Sequence, residues 1–156
     1  MKNFIELVGK ENYDKLVHNR KIQEGKYENG VPFSDHAPVV RIVCPYEKEM
    51  FKDENDFCLL SEVSDGCNAE DVFGYGICTF TNGFPKIGLI KIADIMAFKG
   101  YRNTALTVDK DFKPETTIGG YLSRYETNGV YRNRHIPLYS WREILTEEGG
   151  VCEKLP

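Results

Sequence analysis

The sequence predicts an α+β fold: one domain, with a mainly antiparallel sheet of four to five short strands flanked by three to four helices. Two observations lead there. Between Ala37 and Ile95 the chain carries the apolar segments APVVRIVCP, FCLLSEV, FGYGICTF and KIGLIKIADI, separated by charged or Gly/Asn/Pro punctuation. Helical spacing, by contrast, is found before and after this block.

The first helix is expected from about Lys10 to Asn19, because Tyr13, Leu16 and Val17 share one face at i, i+3, i+4 spacing. Gln23 to Pro38 contains Gly25, Asn29, Gly30, Pro32 and Pro38 and reads as an irregular lead-in loop. Pro38 opens the first strand, PVVRIVCP, whose nearly continuous apolar run suits a strand covered on both faces; Pro45 ends it. In the second strand, FCLLSEV, the period of two puts Phe57, Leu59, Ser61 and Val63 on one face and Cys58, Leu60 and Glu62 on the other. The third, VFGYGICTF, has Gly74 and Gly76 on one face, which permits a bulge or the close approach of another element. Asn82-Gly83 is a hairpin signal leading into KIGLIKI. A short helix over Ala93 to Phe98, closed by Gly100, precedes the brief strand ALTVD. Thr117 caps a helix with Tyr121, Leu122 and Tyr125 on its core face, and Ser140 to Glu143 has capping-box spacing for a last helix from Trp141.

At 156 residues the chain fits a single domain, 1–156, with a self-sufficient core. A net charge of −4 gives no global attraction to phosphate backbones, so nucleic-acid binding ranks last. No apolar run approaches the ~20 residues of a membrane span. The start, MKNFIELVGKENYDKL, is interrupted by Glu6, Lys10 and Glu11 and lacks a signal-peptide core, so a cytoplasmic location is expected. The five cysteines form no CxxC pair; Cys44, Cys58 and Cys78 fall in or at the ends of strands and read as small buried hydrophobes. Their spacing gives little support to a zinc site with His18, His36 or His135.

The succession PVVRIVCP, CLLSEV, YGICTFTNGFPKIGLIKIADI and VDKDF, followed by a helix with Tyr121-Leu122, resembles the bacterial domain-of-unknown-function family 2958. The likeness covers a core from residue 10 to 125 and leaves 129–156 as a C-terminal extension. It implies a protein of plasmids, conjugative elements or phages, from a family with no assigned activity. Glu62, Gly76, Gly83, Pro85, Gly88 and Asp111 stand at matching positions. Thr79 and Lys86 replace the acidic residues of the family pattern.

Two motifs suggest chemistry. Ser34-Asp35-His36, followed by a strand, is similar to the closing motif of the endonuclease/exonuclease/phosphatase family, where the histidine acts beside a metal-bound phosphate. In that fold the motif ends a much longer domain, whereas only thirty-three residues precede Ser34 here. Asp109-Lys110-Asp111 could pair carboxylates for Mg²⁺, with Glu62 completing the set across the sheet, but it also reads as a charged turn. A metal-dependent phosphoesterase or nuclease centred on Asp35 and His36, with Glu62 and Asp111, is therefore the alternative reading.

The leading one is a non-enzymatic accessory protein of a mobile element or phage that binds a protein partner or a small anionic ligand. The resemblance implies modulation of host defence or element maintenance. No cofactor or metal is implied, and oligomeric state is left open. Aromatic and arginine residues interleave late in the chain, and that mixture is enriched at interfaces; Tyr131, Arg132, Arg134, Trp141 and Arg102 are the expected contacts.

Overall fold

A computed structural model describes residues 1–44, 56–80, 85–99 and 105–127. The expected α+β class is what it contains: a five-stranded, wholly antiparallel sheet and, among the described residues, four helices in one domain. The final helix from Trp141, the Asn82-Gly83 turn and the Gly100 cap lie outside the described residues.

The chain begins with α1 (Lys2–Val8), which buries Phe4 and Val8 one turn apart. Gly9, at φ 88°, ends it and starts α2 (Lys10–Glu28); the Phe4 and Tyr13 rings pack in a T-shape with centroids 6.4 Å apart. The helix expected to stop at Asn19 therefore continues to Glu28, and the lead-in loop is shorter than the sequence suggested. The reason lies in what it buries. Beyond Val17 the inward residues are Arg20 and Gln23, both polar, so the apolar period stops while the helix does not.

The strands are β1 (Val40–Cys44), β2 (Asp56–Val63), β3 (Phe73–Cys78), β4 (Lys86–Lys91) and β5 (Thr107–Val108), in the order β4-β3-β2-β1-β5. Both faces are covered. Cys58, Leu60, Val63, Val40 and Ile42 pack with Phe4, Leu16 and Ile92, under α1, α2 and α3 (Ile92–Ala97). Phe57, Leu59, Tyr75, Ile77 and Ile87 pack with Phe33, Ile118 and Tyr121, under the 31–39 segment and α4 (Ile118–Thr127). Thr117 caps α4 as expected, its Oγ1 accepting from Gly120 N–H at 3.2 Å.

A β-bulge in β2 fixes where the polar residues go. Leu60 pairs with Gly76, but Glu62, not Ser61, pairs with Tyr75, and Val63 pairs with Gly74. The extra residue reverses the faces predicted by strict alternation. Val63 joins Leu60 under α2, and Glu62 stands beside Tyr75 on the α4 side. Gly76 makes this possible, since a Cβ there would overlap the Leu59 carbonyl. Among the described residues no helix is long and apolar enough to cross a membrane.

Candidate functional site

Two neighbouring features share α4: a buried polar centre at its N-terminus and an open cleft along its flank.

The centre forms where β1 stops covering β2. β1 pairs with β2 as far as Leu60; beyond it Ser61 O accepts from Asn19 Nδ2 of α2 at 3.0 Å, so the helix takes over the exposed edge. From the same helix Gln23 Nε2 donates to Glu62 Oε2 at 2.9 Å and to Ser34 O at 2.7 Å, while its Oε1 accepts from Ser34 N–H at 2.9 Å. One side chain thus ties α2, the 31–39 segment and β2 together. Arg20 Nη1 lies 3.8 Å from Glu62 Oε1, and its Nε makes a loose ion contact with Glu24 at 3.4 Å.

Glu62 is only 2 % exposed. Burial pushes its carboxyl up to about 7, against the opposing pull of Gln23 and Arg20. His36 Nδ1 lies 3.9 Å from Glu62 Oε2, too far for a hydrogen bond. Burial, with Lys26 next, lowers the His36 value, so the imidazole is neutral at pH 7. Tyr75 closes the centre from β3, its hydroxyl raised well above the ordinary value by burial and then by Glu62 and Asp35.

Asp35 faces the other way. Its Oδ2 accepts from Thr117 Oγ1 at 2.6 Å and its Oδ1 from Gly119 N–H at 3.0 Å, while His36 O accepts from Ile118 N–H at 2.9 Å. Both carboxylate oxygens are engaged at the start of α4, where donors lack intrahelical partners. The structure therefore brings Asp35, His36 and Glu62 to one locality, with Asp35 turned to the helix and Glu62 to Gln23. Asp111 is not in that group. It is exposed in the turn after β5, where its N–H donates to Asp109 Oδ1 at 3.1 Å. Among the described residues no group of three or more His, Cys, Asp or Glu side chains is placed to hold a metal ion.

The cleft, of about 300 Å³, is bounded by Arg41 of β1, the Asp109–Glu115 turn, and Tyr121 and Tyr125 of α4. Its charges are largely paired. Arg41 Nη1 meets Asp109 Oδ2 at 3.2 Å and Arg124 Nη1 meets Glu115 Oε2 at 3.0 Å. Each guanidinium also lies over a ring, Arg41 over Phe57 at 5.4 Å and Arg124 over Tyr121 at 5.2 Å. Exposed Asp111 and Lys113 complete the rim.

The family model described as protein of unknown function (DUF2958) matches residues 7–131. The chain belongs to the DUF2958 family. No curated protein and no solved structure matches it. At the two positions where the resemblance implies acidic residues, Thr79 is buried, its Oγ1 accepting from Phe57 N–H at 2.9 Å and lying 3.0 Å from Asp56 Oδ1, and Lys86 is exposed. Tyr131, Arg132, Arg134, Trp141 and Arg102 lie outside the described residues.

Sequence reasoning missed Arg20, Gln23 and Tyr75. The first two carried a signal: they continue the stripe of Tyr13, Leu16 and Val17 at helical spacing, with polar side chains in place of apolar ones. Tyr75 carried none, because its role depends on the bulge opposite.

Proposed function

We propose that this DUF2958 protein is a non-enzymatic binding protein of a bacterial mobile element or phage. Its partner is a protein that inserts a side chain into the cleft beside α4. The observation that carries this reading is the cleft itself: aromatic walls, a mixed-charge rim and an open form of about 300 Å³. That volume is at the lower end for small-molecule pockets, which enclose most of their ligand. A free anion is less well served, because Arg41 is already paired with Asp109 and the carboxylates of Asp111 and Glu115 share the lining. A planar or aliphatic side chain with one polar end suits the aromatic wall and the Asp111 and Lys113 rim.

The alternative, metal-dependent phosphoester cleavage on Asp35 and His36, requires Asp35 to leave the N-terminus of α4. Two hydrogen bonds of 2.6 and 3.0 Å oppose that.

A photo-crosslinking residue at Lys113, expressed in a bacterial host carrying the element, is expected to capture a discrete protein adduct. The same residue at Lys15, on the exposed face of α2, is not. Asp111→Lys is expected to reduce the Lys113 adduct several-fold. Equal capture from both positions, or an adduct indifferent to Asp111, would remove the cleft from consideration.

A further inference from the structure

We propose that Cys58 and Cys78 form an oxidation site: a buried dithiol that a hydroperoxide converts to a cross-strand disulfide between β2 and β3. The two residues are direct partners in the antiparallel register. The neighbouring pair, Phe57 and Thr79, is joined by the Thr79 N–H to Phe57 O hydrogen bond at 2.9 Å, which makes Cys58 and Cys78 a non-hydrogen-bonded pair. In such pairs the Cα atoms stand about 4.5 Å apart and the side chains lie closest, within the span a disulfide requires. Both side chains point to the same face, packed in the core under α1, α2 and α3.

Both cysteines are free thiols in the structure. A side-chain hydrogen bond with Cys78, with burial adding to it, holds the Cys58 thiol well above its ordinary value. Cys58 is 0 % exposed and Cys78 is 8 %, so a small oxidant reaches Cys78 first. Phe80 N–H donates to Cys78 Sγ at 3.4 Å, a donor positioned for the negative charge that sulfur carries when it attacks.

The sequence of steps balances with a hydroperoxide as the oxidant. Cys78 sulfur attacks the outer peroxide oxygen, the O–O bond breaks, an alcohol or water leaves and Cys78 becomes a sulfenic acid. Cys58 then attacks that sulfur, the S–OH bond breaks, water leaves and the S–S bond forms. Two thiols lose two electrons and two protons, and the peroxide is reduced by two electrons. Exposed Cys67 has no such partner among the described cysteines and is expected to stop at monothiol products.

The test is peptide mapping of the purified full chain under non-reducing conditions after limited hydrogen peroxide. A Cys58–Cys78 linkage is expected, absent from Cys58→Ala and Cys78→Ala, reversed by dithiothreitol, and accompanied in the wild type by a rise in Tm on the order of 5–10 °C. Oxidation confined to Cys67 and Cys152, or a linkage of Cys58 or Cys78 to any other cysteine, would overturn the proposal. The mapping is read on the wild-type chain, so it stands even where a variant fails to fold.

Discussion

Gly76→Ala is expected to lower stability by at least about 3 kcal/mol, among the larger effects of a single substitution. The cause is backbone against backbone. A Cβ at residue 76 would overlap the Leu59 carbonyl oxygen and crowd the Leu60 Cα, and neither can rotate away. Relief requires β2 and β3 to separate at the bulge, which would cost the Leu60 to Gly76 and Glu62 to Tyr75 pairings that aim Glu62 at the polar centre. Gly74→Ala, two residues earlier on the same strand, is the control. There the nearest atom is the Leu60 Cδ2 methyl at 2.9 Å, the end of a flexible side chain, and a loss of about 1 kcal/mol is expected. Urea denaturation of both variants compares them; similar losses would mean that the close approach at Gly76 does not limit the sheet.

The second large effect is in the pH dependence of stability. Glu62 titrates near 4.5 when unfolded and about 7 when folded, a difference of about 3 kcal/mol. The folded chain holds a proton that the unfolded chain releases, so more protons are bound in the native state between pH 4.5 and 7. Stability from this group is complete below pH 4.5, falls as pH rises through that window and is gone above about 7. His36 works in the opposite sense: its folded value lies below 6.5, so its contribution is present above 6.5 and is lost as pH falls. The two oppose each other just below pH 6.5, and variants separate them. The stability difference between wild type and Glu62→Gln is expected to shift by about 3 kcal/mol between pH 4.5 and 8, with wild type gaining toward acid. A difference that stays constant with pH would mean that Glu62 is not buried as a protonated acid.

Much of this architecture was legible in the residues. The alternating segments between Ala37 and Ile95 located four strands, and Thr117 marked the start of α4, because strands and caps leave short-range signatures. The far half of α2 did not, because its inward face carries Arg20 and Gln23, whose burial depends on partners at Ser34 and Glu62. Glu62 stands out in FCLLSEV, but strict alternation puts it on the wrong face, since a single bulge inverts every position after it. The motif Ser34-Asp35-His36 stood out by likeness to a phosphate-processing motif. In the fold, Asp35 instead joins the 31–39 segment to the first turn of α4. That partnership spans more than eighty residues, and nothing local to Asp35 announces it.

The Asp35, His36 and Glu62 locality acts as a joint that seats α4 against the sheet and so holds one wall of the cleft. Hydrogen exchange of the wild type and Asp35→Ala, followed residue by residue, tests it most directly. Asp35→Ala is expected to reduce protection of the amides from Ile118 to Tyr125 by about tenfold or more, consistent with loss of a charged cap. Protection of β2 and β3 should change far less. Undiminished protection across α4, with Asp35→Ala otherwise folded, would contradict the claim and leave Asp35 available for other chemistry.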